Sequence, residues 1–139
     1  MSMFRIFDIA GSGLSAQTLR LNTVASNLAN AESVASSEED AYRARNPVFA
    51  AVFNRYAAPQ DAATAMVQVK DVVESQAPVL RRYEPGNPLA DKDGYVYQSN
   101  VNIAEEMANM ISASRSYQTN VQVMNTTRQL IQATLRLGQ

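Results

Sequence analysis

Gly11-Ser12-Gly13-Leu14-Ser15-Ala16 has the G-x-G-x-x-A spacing that lets a backbone approach a pyrophosphate, and Glu32 stands where an acidic residue would meet a ribose hydroxyl. That chemistry needs a strand before the glycines and a second strand ending at the acid. Residues 4–9 pass for the first, but residues 28–40 are too polar and too small for the second, so the motif lacks its context. Asp91, Asp93 and Gly94 resemble part of a calcium loop, yet that register puts Leu89 first and Asn100 last, where carboxylates are required. A plain turn explains them better. Neither histidine nor cysteine occurs in the 139 residues, which removes the commonest general base, the commonest metal ligand and any disulfide or thiolate site. No nucleophile sits beside a base. The expectation is therefore a non-enzyme with no catalytic, cofactor or metal site and no small-molecule substrate.

Charge excludes another class. With 12 Lys and Arg against 13 Asp and Glu, the net charge of -1 offers no footprint for nucleic acid. No run approaches the roughly 20 apolar residues of a membrane span. Residues 1–13 carry Arg5 and Asp8 inside their apolar stretch, which is not the pattern of a cleaved secretory signal. Any export is expected to proceed without one.

What remains is helical patterning at both ends. Phe7, Leu14, Leu21 and Leu28 recur every seven residues, and Ala10, Gln17, Val24 and Ala31 follow each by three, an a/d seam. Toward the other end Met107, Ser114, Val121, Arg128 and Leu135 form one row, and Ile103, Met110, Tyr117, Met124 and Ile131 the other. A further stripe of Ile111, Val123, Leu130 and Leu137 is left for neighbouring subunits. Gly11 and Gly13 each cost the first helix about 1 kcal/mol relative to alanine, so its first turns are weak alone. Asn102, with Glu105 three places on, predicts the start of the second helix by a capping box. Neither proline nor glycine interrupts it from there to Leu137, giving a rod of roughly 50 Å.

Between the helices the period disappears. Residues 32–40 read as a flexible, acidic connection. Residues 42–56 hold Val48, Phe49, Val52 and Phe53 after Pro47, which suits either a short helix or an extended docking segment. Met66, Val67, Val69, Val72 and Val73, then Val79 and Leu80, then Tyr95-Val96-Tyr97, predict strands. Glu84-Pro85-Gly86-Asn87-Pro88 and Asp91-Lys92-Asp93-Gly94 predict turns. The expected architecture is mainly α with a small β-containing middle: a helix over residues 1–33, a linker and β-rich segment over 34–100, and a helix over 101–139. The two helices are expected to pair as an elongated, antiparallel-type coiled coil.

Polar seam positions carry two readings. Gln17, Ser114 and Arg128 either fix register at a cost in stability or face solvent where the heptad drifts. Asn27 and Asn30, flanking Leu28, either cap or bond between helices, or lie on a solvated face. Tyr117 can place its ring in the seam with its hydroxyl at the edge. The methionines, Met107, Met110 and Met124 among them, read as core filler rather than a promiscuous groove.

Ser26-Asn27-Leu28-Ala29-Asn30-Ala31 resembles the S-N-[LI]-A-N-A signature that ends the N-terminal helix in the flagellar rod and hook family. Asn100-Val101-Asn102-Ile103-Ala104-Glu105-Glu106-Met107, continuing through Ser114-Arg115-Ser116-Tyr117-Gln118-Thr119-Asn120, is similar to the C-terminal pattern of its proximal-rod members, as is the 83–95 segment. There are two departures, Glu84 in place of an aspartate and Asn87 in place of a histidine, and no role of that histidine transfers. The resemblance implies a structural subunit of the proximal rod, the shaft that carries motor torque to the hook across the periplasm. It implies a flagellar basal-body location, partners among other rod proteins and copies of itself, and passage through the flagellar type III export apparatus. A helical export chaperone or adaptor, or another rod protein, is the alternative. The interface residues on this reading are Phe7, Leu14, Leu21, Val24, Asn27, Leu28 and Asn30 on the first helix. On the second they are Met107, Met110, Ile111, Tyr117, Val121, Met124, Leu130, Ile131 and Leu135.

Overall fold

In the computed structural model the described residues are 3–53 and 65–137. Two long helices, α1 (Met3–Ala29) and α2 (Ile103–Leu137), enclose five strands in sequence: β1 (Val34–Ala35), β2 (Arg45–Phe53), β3 (Ala65–Glu74), β4 (Leu80–Tyr83) and β5 (Tyr95–Gln98). Asn102 Oδ1 accepts the amides of Ala104 and Glu105 at 3.1 and 3.4 Å, so α2 starts on its side-chain cap. At the other boundary the Ser26 carbonyl accepts both Asn30 Nδ2 at 2.8 Å and the Asn30 amide at 3.2 Å, closing the last turn of α1.

The helices lie side by side and run antiparallel: Asn27 meets Glu106, Arg20 meets Asn109, and Gly13 faces Asn120. Their contact is built from small side chains. Ala10, Ala16, Thr23 and Val24 on α1 and Ala113 and Thr127 on α2 are buried. The two threonine hydroxyls are satisfied within their own helices, at the carbonyls of Leu19 and Val123. A Cβ on Gly13 would come within 2.9 Å of Asn120 Nδ2, so the glycine that weakens the isolated helix permits this close approach.

The strands form two antiparallel sheets, one in the order β1-β5-β4 and the other a β2-β3 ribbon. Residues 32–40, expected as a loose connection, instead contain β1, whose Val34 and Ala35 pair with Gln98 and Tyr97. The Ser37 hydroxyl and Asp40 carboxylate then close a turn at 2.7 Å. Two small residues carry no periodicity, so only the partner strand reveals the pairing. Val96 of β5 is fully buried at the centre of the small sheet. Of the two readings of residues 42–56, the extended one is observed over β2, and residues 54–64 lie outside the described part. The ribbon's register slips between Val48 and Phe49, leaving Lys70 opposite no residue, a β-bulge.

The turns form as their composition dictates. Gly94 adopts φ 82°, and a Cβ there would meet the Tyr83 ring at 2.9 Å. Glu84 and Asn87, the two departures from the family pattern, face each other, with Asn87 Nδ2 donating to Glu84 Oε2 at 2.9 Å.

Asp91 Oδ1 accepts the amides of Tyr95 and Asp93, both at 2.9 Å. The Tyr95 amide chiefly, then the Asp93 amide, the Arg81 charge and the Tyr97 hydroxyl, hold its carboxyl below the ordinary aspartate value against an opposing desolvation effect. Because the folded value is depressed, this turn's stabilisation is complete above the ordinary aspartate range and is lost as pH falls through the folded value. The Tyr95 amide resonance should therefore titrate with a midpoint below that of a free aspartate. A midpoint at or above the ordinary value would contradict the bonding.

Candidate assembly interface

The apparent chemical motifs are absorbed by structure. Residues 11–16 are helical throughout α1, so no strand-turn-helix exists around the glycines to cradle a phosphate. The Ser12 hydroxyl donates to the Ile9 carbonyl at 2.8 Å and accepts the Val67 amide at 3.1 Å, tying the ribbon to α1. Asp91 spends its carboxylate on backbone amides, and among the described residues no three carboxylates converge as metal ligands would. No helix among those residues is long and apolar enough to cross a membrane.

What the surface offers is hydrophobic. On the ribbon, Val48, Phe49, Val52, Phe53, Met66, Val67, Val72 and Val73 are all exposed; only Pro47, Ala50, Ala65 and Val69 are half-covered. Strands with apolar side chains on both faces are those that proteins ordinarily bury on both sides. On α2, Ile103, Met107, Ile111, Tyr117, Val123, Leu130, Leu135 and Leu137 are exposed. Among the described residues many large apolar side chains are thus outside, while alanines supply most of the fully buried apolar positions, unlike an ordinary core.

The heptad rows divide accordingly. Val24 and Asn27 are buried; Phe7, Leu14, Leu21, Leu28, Asn30, Met110, Val121, Met124 and Ile131 are half-buried; and Met107, Ile111, Tyr117, Leu130 and Leu135 are exposed. Within one chain α2 is met by the α1 face that carries Gly13, Arg20 and Asn27, flanked by the buried Ala10, Ala16, Thr23 and Val24. The leucine row is left on a flank, because small residues bring two helices closest. Met107, assigned by its spacing to the inner seam, points outward, and Glu106 beside it turns in. Gln17 Oε1 is buried without a hydrogen-bond partner, an acceptor the subunit itself leaves unmet.

A polar junction closes one end of this arrangement. Asn27, with 0% of its surface exposed, donates through Nδ2 to Glu106 Oε2 at 3.0 Å and to the Arg45 carbonyl at 2.9 Å. Its Oδ1 accepts the Arg45 amide at 2.9 Å and the Tyr42 hydroxyl at 3.0 Å. Helix α1, the root of β2 and the first turn of α2 therefore meet on one carboxamide. The sequence marks Asn27 and Glu106 through two separate signatures, but not their pairing, and it does not mark Tyr42 or Arg45.

Two family models match these elements. Residues 7–34 match the flagella basal body rod protein model, covering α1 and its exit into β1, and residues 92–137 match the C-terminal model of the flagellar basal body rod FlgEFG proteins, covering β5 and α2. Over its full 139 residues the chain is 55% identical to the flagellar basal-body rod protein FlgC of Escherichia coli O6:H1, with all of both chains covered. It belongs to the FlgC family. Identity to FlgC of Salmonella typhimurium is 53%, and to FlgC of Buchnera aphidicola subsp. Baizongia pistaciae 36%, each over the whole of both chains. The ribbon lies between the two model-matched segments, so within the FlgC family it is the full-length relatives that span it.

Proposed function

We propose that the chain acts as a structural, non-catalytic subunit of the flagellar basal-body rod, packing with copies of itself and with other rod proteins. The observation that carries this reading is the inversion of its hydrophobic surface: alanine and valine fill the interior while Leu130, Ile111, Phe53 and their neighbours face out. Contiguous exposed apolar surface on this scale marks an interaction site. On assembly α1 and α2 extend into a coiled-coil layer, the leucine flank of α1 and the outer stripe of α2 close against neighbours, and the ribbon makes the outer contacts. Torque then passes through many shallow apolar contacts at once. Location in the periplasmic part of the basal body and delivery by the flagellar type III apparatus belong to the same proposal.

The test is an in-frame deletion of the gene in its own bacterium, with electron microscopy of isolated basal bodies. Membrane rings without a rod, restored by the intact gene, are the expected result. Complete flagella and normal swimming in the deletion strain would refute the reading.

A further inference from the structure

We infer that Asn27 and Glu106 form a positioning pair that sets the direction in which the β2-β3 ribbon runs along α1. The inference rests on the assembly reading above for why that direction matters, but on the junction itself for its geometry.

Asn27 uses its whole bonding capacity: both Nδ2 hydrogens donate and Oδ1 accepts twice. Toward Arg45 it behaves as a peptide group would, exchanging N–H···O bonds in both directions like a hydrogen-bonded residue pair of an antiparallel ladder. Helix α1 thus lends β2 a substitute strand partner at the first residue of the ribbon. Other side chains fail at this position. Aspartate cannot donate, leucine can do neither, and glutamine is one methylene too long for the same closure. Glu106, with 5% of its surface exposed, accepts one of the two amide hydrogens and so settles which way the carboxamide faces.

A second carboxamide braces the same root. Asn100 Oδ1 accepts the Ala44 amide at 2.7 Å and its Nδ2 donates to the Ala77 carbonyl at 2.8 Å, while the Ser75 amide reaches the Ala44 carbonyl at 2.7 Å. Both legs of the ribbon are therefore held at one place, and farther out the Val67 amide rests on the Ser12 hydroxyl. A ribbon of nine residues is about 30 Å long, so a rotation of roughly 10° at the root carries its far end about 5 Å. That exceeds the tolerance of an apolar contact. An error at Asn27 is consequently felt along the ribbon, opposed farther out by its contacts with α1 at Ser12.

The test exploits the absence of cysteine. Spin labels at Asn22→Cys on α1 and Ala51→Cys on β2, both exposed, report the ribbon's direction as a distance distribution in the full-length protein. Asn27→Asp sets two carboxylates about 3 Å apart and removes both donors, so the narrow distribution is lost and the gene no longer restores swimming to the deletion strain. Adding Glu106→Gln returns a donor to the pair with its polarity reversed, because the amide now on α2 donates to the new carboxylate on α1. The double variant should regain a narrow distribution and part of the swimming. Glu106→Gln alone keeps the acceptor for Asn27 and stays close to the parent. A narrow distribution in Asn27→Asp overturns the inference, and so does a double variant no better than Asn27→Asp, whether that single variant is misdirected or unfolded. Should the intact gene itself fail to restore a rod, the assembly reading falls while the distance measurement still decides the pair.

Discussion

Leu130→Asp should leave the purified protein folded and abolish swimming. Leu130 is 53% exposed on α2, so within one subunit the substitution costs little beyond the propensity difference, roughly 0.5 kcal/mol. On the proposed assembly the same position meets a neighbour, and desolvating an unpaired carboxylate there would cost several kcal/mol in every subunit. A defect repeated at each contact compounds, so basal bodies should show rings without a completed rod. The comparison to make is far-UV circular dichroism of the monomer against the swimming halo of the complemented strain. Normal motility would mean that Leu130 faces water in the assembly as well. Exposed Ile111 supplies an independent repeat; Leu28→Asp and Met124→Asp are less clean, because both residues are half-buried in the subunit and would disturb folding too.

Ala113→Leu reverses that logic. Ala113 has 0% of its surface exposed, at the contact between the helices. Three extra carbons have nowhere to go, and overpacking of this kind costs about 3 kcal/mol or a little more. Against a total stability of roughly 5–15 kcal/mol, that is a large fraction, enough to move a urea midpoint well outside error. An unchanged midpoint would show that α1 and α2 do not touch at this level in solution. The pair of substitutions separates the two surfaces of one helix: the first spares the subunit and breaks the assembly, the second breaks the subunit.

Local chemistry was legible and long-range chemistry was not. The turn at 91–94 could be read because aspartate and glycine act on their own backbone within four residues. The Asn102 cap could be read for the same reason. Both long helices announced themselves by period. Which stripe meets which partner did not follow, because the heptad rows rank positions by size and the intrachain contact selects smallness. Ala10, Ala16 and Ala113 look ordinary in the sequence and carry the closest packing, whereas the conspicuous leucines lie on the flank. The spacing of Ala10, Gly13, Ala16, Arg20, Thr23 and Asn27 was the available signal, a stripe of mostly small residues at helical intervals. β1 left no trace, since two residues cannot show alternation. Asn27 stood out as part of a signature, but its partners at Tyr42, Arg45 and Glu106 are brought to it only by the fold.

The alanine-lined contact between the helices also has a calorimetric consequence. Heat capacity rises on unfolding in proportion to the apolar area newly wetted, about 12–15 cal/mol/K per residue for an ordinary globule. Here about half of the large apolar side chains are exposed in the folded subunit, so that increment is reduced and the stability curve is flattened. A flatter curve keeps the subunit's stability nearly constant with temperature, which suits a chain that on the proposed assembly completes its packing among its neighbours.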